Sequence, residues 1–511
     1  MRYNAARLEL RRVASIGFMI ARRQLENAPR SAIWEIQPMK RAFLMISVSL
    51  FPRLLGAQGL EVSDLVGEHW YGLYFGGEKV GYAMSSVEVA ESGEVTVREN
   101  AQFKITMFGV QQEMRTAGRR VYAPNGDLKA FEQEVVDPLG PKQFNGRVVG
   151  DALVLNSSVG GLESEETFPK PKESLADALE QIELLGDGAD VGDEVSFALF
   201  DAVMKREISG VSRIMHIETR VFEGVATKVF RIETSLDLGI NTVSYVAEDG
   251  TTLEDVIAGM LTMRLEPEAI AKDIDYGNDV IISSAVRLDA PIEDPRERGE
   301  LRLLLKGPLN EDHLFNDERQ VIRPAPEGYE FVGKKISLEG FEATQLPIQD
   351  EDVTEWLKPS TFVQSDRPEL IEKAKEIVGE ERDAAAVSQR LCTWVRDNMR
   401  TSYSAQLSNA LEVLNNMEGD CTEHSILFIG LARAAGLPAR EVAGLVYTGG
   451  PDAAFYYHQW AKVWIGKWID VDPTFGEPLA DATHIKLAEG DLYEMAKLIP
   501  IIGQIKIEAA E

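Results

Sequence analysis

Gly419-Asp420-Cys421-Thr422-Glu423-His424 stands immediately ahead of the apolar run Ser425 to Leu431. Asp420 followed three residues later by Glu423 is the acidic form of a capping box, a signal for a helix start. Gly436 and Pro438 supply the stop, one by tolerating a left-handed residue and the other by refusing to continue the helix. Leu427, Leu431 and Ala434 recur at helical spacing and predict a core-facing stripe. Cys421 is thereby placed in the first turn of a packed helix. There the macrodipole and the unpaired N–H groups favour a thiolate over a thiol. Those N–H groups, beginning with that of Cys421, can also stabilise an oxyanion.

Downstream come Tyr457-His458-Gln459-Trp460 and Asp470-Val471-Asp472-Pro473-Thr474, so a thiol, an imidazole and a carboxylate follow one another within a short stretch. That is the set a nucleophile, its base and the group orienting the base require. Phe455 to Ile465 alternates and is aromatic, hence a strand, and Trp468 to Val471 returns after Gly466-Lys467. A plain two-residue turn would set residue 461 opposite 472, with His458 and Asp472 on opposite faces. A three-residue loop, Ile465 to Lys467, sets Trp460 opposite Asp472 and gives Asp472 the face of His458. The chemistry therefore predicts an odd loop or a bulge.

Gly419-Asp420-Cys421, the run Leu431 to Arg440, His458-Gln459-Trp460 and Trp468 to Thr474 appear in order between about Asp383 and Leu487. Together they resemble the transglutaminase-like superfamily, a branch of the papain-like cysteine enzymes. The resemblance implies a core of helices packed on an antiparallel sheet, with Cys421 as nucleophile, His458 as general base and acid, and Asp472 as the partner of the histidine. Asp470 lies outside the family's Asp-Pro position and ranks second. The resemblance also implies acyl transfer from protein or peptide amides, to water in a protease or amidase, or to an amine in a crosslinking enzyme. It requires neither a metal nor an organic cofactor.

His424 is the rival base, a helix neighbour of Cys421 with no orienting carboxylate close in sequence, and reads as a packing residue. His484, in a stretch the family also tends to show, takes a structural role. A zinc site of Cys421, His424 and His458 is conceivable but lacks the paired spacings of zinc motifs. Tyr403 and Trp394 are further candidates for the oxyanion environment. Cys392 sits beside the apolar stripe Val387, Leu391, Trp394 and Val395 of a helix from about Asp383 to Met399, and reads as a buried structural thiol.

A formal charge of −30 argues against nucleic-acid binding, since phosphates would be repelled. With only Cys392 and Cys421 in the chain, no disulfide framework is implied. Met39-Lys40-Arg41 followed by apolar Ala42 to Phe51 and then Gly56-Ala57 reads as a signal segment with its start at Met39, too short to span a bilayer. The expected location is the periplasm or exterior of a bacterium, with no stable membrane span.

At 511 residues more than one core is expected. Residues 1–57 read as leader and 58–275 as a β-rich region of two possible related halves. Residues 276–346 read as a further β-rich section, and 347–511 as the candidate catalytic domain, an α+β arrangement overall. Trp70 to Phe75 and Val80 to Ala83 flank Gly76-Gly77 as a hairpin; Asn125-Gly126 and Asp249-Gly250 mark two more tight turns. Ser174 to Leu185 reads as a helical joint between the halves. Turns this short predict antiparallel sheets. Ser365 and Asp366 ahead of Pro368, with Gly379 after Val378, predict a capped helix. The rival overall reading is a cell-envelope binding or scaffold protein carrying a degenerate transglutaminase-like domain.

Overall fold

The computed structural model describes residues 66–107, 110–175, 189–222, 225–274, 285–348, 350–402, 408–449 and 453–509. The leader at 1–57, most of the helical stretch 174–185, and Tyr403 lie outside them.

One antiparallel sheet of fourteen strands occupies the N-terminal region, and Gly67–Phe75 lies in its middle. Successive strands run outward from it to the edge strand Leu162–Pro169. The later strands begin at the opposite edge, Glu194–Asp201, and return to the middle through Leu261–Leu265. The predicted hairpin is there, with Phe75 opposite Glu78. The Asn125-Gly126 and Asp249-Gly250 turns share one geometry. Ala123 N donates to Asp127 O (2.8 Å) as Ala247 N donates to Thr251 O (2.9 Å), and both glycines sit at φ +88°. Each hairpin carries a bulge just before its turn, at Val121/Tyr122 and Tyr245/Val246, so both are longer than a two-residue turn.

The sheet curls until its edges meet: the Phe200 ring lies 5.4 Å from Phe168 and 5.9 Å from Phe131, and Lys205 pairs with Glu166. Inside, Glu173 binds Arg120 (2.8 Å), the Tyr122 hydroxyl (2.7 Å) and Phe200 N (2.9 Å).

The middle section forms a four-stranded antiparallel sheet in the order Gln320–Ala325, Gly328–Lys334, Glu300–Lys306, Lys506–Ala509. Its fourth strand comes from far downstream, with Leu303 opposite Ala509. A boundary at 346 therefore does not enclose this sheet.

The C-terminal sheet runs Val286–Arg287, Ala454–Trp464, Ala439–Tyr447, Ile485–Gly490, with Trp468–Val471 also on Ala454–Trp464. Helices Pro368–Val378, Ala384–Asn398 and Ala410–Asn416 surround helix Cys421–Ala434, which also packs on the two central strands. Packed against both strands and helices, that helix is buried at every residue from Cys421 to Ala432, rather than along one stripe. The helix at Pro368 is capped differently from expectation. Arg367 is its N-cap, without a side-chain bond, and Ser365 Oγ instead donates to Leu357 O (3.3 Å). Proline at the first helical position removes one of the unpaired N–H groups of the first turn and presets the helical φ. Among the described residues the strand pairings are antiparallel except for a two-residue parallel match of Arg400–Thr401 with Glu418–Gly419.

The regions share apolar cores. Leu73 and Met263 of the large sheet cluster with Leu445 and Tyr457, while Phe131 and Leu155 cluster with Phe362, Leu370 and Ile426. No helix among the described residues is long and apolar enough to cross a membrane.

Candidate active site

Cys421 is the first residue of its helix and is buried. The expected box closes on both sides: Asp420 Oδ1 accepts from Thr422 N (2.9 Å) and Glu423 Oε2 accepts from Asp420 N (2.9 Å). Glycine at 419 makes room for it, since a Cβ there would lie 2.2 Å from Glu423 Cβ. Ser425 Oγ donates to Gln459 O (3.1 Å), tying the first helical turn to the strand beside His458. His424 turns back on the cap, its Nδ1 2.6 Å from Asp420 O, and burial lowers its pKa.

On the neighbouring hairpin Trp464 pairs with Trp468 and Ala461 with Val471, so the loop is the three-residue one. Ile465 N donates to Lys467 O (2.9 Å), and Gly466 takes φ +106°. His458 and Asp472 consequently share a face, and His458 Nε2 lies 2.7 Å from Asp472 Oδ2. The second oxygen, Oδ1, accepts from Thr474 N (2.8 Å) and Phe475 N (3.1 Å). Burial opposes the charge on Asp472, yet the imidazoles of His458 and His484 hold its carboxyl well below the usual range. At His458 burial wins over the attraction of Asp472 and lowers the pKa, with His484 and Arg296 adding repulsion. The ring is then neutral, Nε2–H donates to Asp472, and Nδ1 keeps a lone pair. Nδ1 is buried and makes no hydrogen bond. The ring is flanked by Trp460 and Phe475, at 6.0 and 5.3 Å.

Asp470 belongs elsewhere. Arg319 Nε reaches it at 2.7 Å and Lys486 Nζ at 3.6 Å, and these cations, against the effect of burial, hold its carboxyl far below its ordinary value. Cys392 is fully buried, its Sγ 3.6 Å from the backbone oxygen of Asp472, and burial pushes its thiol far up. Trp394 is half-buried with the Lys373 ammonium 5.6 Å from its ring.

Sequence reasoning gave His484 a structural role and did not find its partners. It is buried, with Nε2 3.0 Å from the same Asp472 Oδ2 and Nδ1 3.0 Å from Asp481 Oδ1. Asp481 in turn pairs with Arg296 (2.7 Å), whose guanidinium covers the Phe475 ring at 4.1 Å. Burial works against a charged His484, and the two carboxylates override it, raising the pKa to about 9. Asp481, three residues ahead on the same turn, was a readable signal; Arg296, from the middle section, left none.

Among the described residues, two groups have spacings that a metal could use: His458, Asp472 and His484, and Glu477, Asp481 and His484. Both contain His484, whose two nitrogens face carboxylates as an imidazolium's two N–H groups do, and an imidazolium offers a metal no lone pair. Cys421 and His424 belong to neither group.

Residues 371–473 match the model of the family described as the transglutaminase-like superfamily. No curated protein matches the chain. Among solved structures, a protein from Cytophaga hutchinsonii named as a candidate cysteine protease is 18% identical, with 41% of this chain and 84% of that chain covered, at a TM-score of 0.30. A β-barrel-like protein from Brucella abortus, belonging to a domain family of unknown function, is 12% identical over 40% of this chain and 95% of its own, at 0.33. The periplasmic domain of TgpA from Pseudomonas aeruginosa, bound to ethylmercury, is 15% identical over 53% and 73%, at 0.22. Likenesses this distant carry no argument here.

Proposed function

We propose that the chain, whose residues 371–473 are transglutaminase-like, is a cysteine enzyme that cleaves or transfers amide acyl groups of proteins or peptides. Cys421, His458 and Asp472 are its catalytic residues, set in a papain-like core of helices on an antiparallel sheet. The observation that supports this most directly is the state of His458: Nε2 bound to Asp472 at 2.7 Å and Nδ1 buried and unbonded. A base needs one nitrogen fixed and the other open.

In the reaction, Cys421 Sγ attacks the amide carbonyl carbon while its proton passes to His458 Nδ1. The N-terminal N–H groups of the Cys421 helix receive the developing oxyanion. The tetrahedral adduct collapses, the C–N bond breaks, and His458 returns the proton to the departing amine. Water, or a lysine amine, then gives a proton to His458 and attacks the thioester; the C–S bond breaks and His458 returns the proton to the departing Cys421 sulfur. Asp472 holds the ring throughout. The enzyme acts outside the cytoplasm, a reading supported by the basic-then-apolar segment Met39 to Phe51. The β-rich region 58–275 positions a macromolecular substrate, residues 276–346 together with the strand Lys506–Ala509 brace the site, and the rest of 347–511 forms the catalytic domain.

Intact-mass labelling with limiting iodoacetamide from pH 5 to 9 tests the chemistry. Both thiols are buried, so Cys392 controls for access. Selective labelling of Cys421 well below the ordinary thiol pKa of about 8.5, lost in His458→Ala, supports the enzyme. Labelling that follows an ordinary thiol titration and ignores the mutation would support a non-catalytic scaffold.

A further inference from the structure

We propose that His484 is a positioning residue for the catalytic base: a second imidazole, charged at neutral pH, that shares Asp472 with His458 and keeps His458 neutral and proton-accepting at rest. The proposal rests on the Cys421–His458–Asp472 reading and extends it by one residue.

The geometry is a linear array. Arg296 Nη1 lies 2.7 Å from Asp481 Oδ2, Asp481 Oδ1 lies 3.0 Å from His484 Nδ1, His484 Nε2 lies 3.0 Å from Asp472 Oδ2, and the same oxygen lies 2.7 Å from His458 Nε2. Charges alternate along it, positive, negative, positive, negative, and end on a neutral ring. Asp481 is itself fixed, its Oδ1 also accepting from Thr483 N and Thr483 Oγ1, both at 2.7 Å. Arg319 Nη1 holds the His484 backbone oxygen at 2.5 Å. With a carboxylate on each nitrogen, His484 has two acceptors for two N–H groups, and only the imidazolium supplies both. Its pKa, raised to about 9 by those carboxylates against the cost of burial, agrees.

A carboxylate facing one histidine stabilises that histidine's cation. A carboxylate facing two divides its attraction, and the cation already present repels a second. The groups around His458 are Asp472 after its return strand, His484 and Arg296 across from it, and His424 on the helix. Those around His484 are Asp472, Asp481, Arg296 and Glu477, whose carboxyl burial pushes up to about 7. Within this set His484 is the cation bound to the same oxygen as His458. Its removal leaves Asp472 to His458 alone.

The direction of the effect follows. Without the His484 charge, His458 protonates more readily, so the acidic limb of its reactivity moves to higher pH. Cys421 alkylation by iodoacetamide, followed from pH 4 to 9 in the full chain, reads that limb without any substrate. His484→Gln is expected to raise the midpoint by about one unit, roughly a tenfold slower reaction at a fixed acidic pH. Asp481→Asn, which takes away one of the two carboxylates holding His484 charged, moves the limb the same way. A uniform slowing with the midpoint unchanged would mean that His484 only packs, against Trp460 and Phe475, and would overturn the proposal.

Because either variant could fold poorly, histidine ring NMR of the unmodified chain provides a second arm. The His484 resonance is expected to stay that of an imidazolium past pH 8. A neutral ring at pH 7 defeats the idea regardless of any mutant. If instead wild-type Cys421 reacts as an ordinary thiol and ignores His458→Ala, the catalytic reading fails, while the NMR arm still reports the charge on His484 separately.

Discussion

Trp464 and Trp468 face each other across their hairpin, rings edge to face with centroids 5.6 Å apart. Between them lie Ile465, Gly466 and Lys467, and that odd number puts Asp472 on the side of the sheet where His458 points. One residue fewer would turn every side chain of the return strand over. A surface loop thus sets the chemistry of a buried pair some distance away.

Asp472→Asn keeps the shape and removes the charge. Its amide can also present the wrong partner to His458 Nε2. Turnover on an amide substrate is expected to fall about 10³- to 10⁴-fold, the scale for losing the orienting carboxylate of a triad. Steady-state kinetics with near-unchanged circular dichroism would check it; a loss under tenfold would remove Asp472 from the site.

Asp470→Asn separates the two neighbouring aspartates by function. It leaves Arg319 buried without its charged partner at 2.7 Å, and breaking such a pair costs about 3–5 kcal/mol. Urea unfolding should show that loss, while Cys421 alkylation in the folded protein stays close to wild type. Lost reactivity with unchanged stability would instead make Asp470 a member of the site.

Gly419→Ala drives a methyl into Glu423 Cβ, 2.2 Å away, at a residue whose φ of +156° already disfavours a side chain. Losing the capping box alone costs roughly 1–2 kcal/mol. Both the urea midpoint and the Cys421 alkylation rate are expected to drop, because the cap and Cys421 share a helical turn. A variant as stable and reactive as wild type would show that the box does not organise Cys421.

Stability should peak near neutrality, with a separate cause on each side. His458 has a lowered pKa, so below about pH 6.5 the unfolded chain takes up a proton that the folded one refuses, and stability falls. Asp472 and Asp481, both depressed against the effect of burial, add to the loss as pH drops below about 4. His484, raised to about 9, contributes stability fully present below 6.5 and lost as pH rises through 9. Urea midpoints from pH 4 to 10 would map both flanks. His484→Gln should flatten the alkaline one, and an unchanged alkaline slope would contradict its charged state.

What the sequence made legible was local. The Asp420/Glu423 cap, the helix stop at Gly436 and the three-residue loop follow from neighbours within a few positions, where turn chemistry and side-chain alternation act. What escaped depends on distant segments. Arg296 and Arg319 come from the middle section, and nothing near them in the chain marks them as partners of Asp481 and Asp470. His484 read as structural because the oxygen it shares with His458, a residue of another strand, leaves no mark on its sequence neighbours. The single curled sheet was equally hidden, since its edge strands meet through Phe168 and Phe200, and pairwise turn signals carry no information on closure. The missing side-chain cap at Arg367 is a local miss, as are the bulges that lengthen the Asn125-Gly126 and Asp249-Gly250 turns.

The pairing of Glu300–Lys306 with Lys506–Ala509 has a consequence in time. A strand of one sheet is made about 200 residues before its neighbour, and at ~5–20 residues per second a ribosome leaves that edge open for roughly 10–40 seconds. During this interval Leu303 and Leu305 border an unpaired row of backbone donors and acceptors, the kind of surface that recruits stray strands. Biogenesis of the protein therefore contains a vulnerable wait, which ends only after Cys421, His458 and Asp472 have all been synthesised.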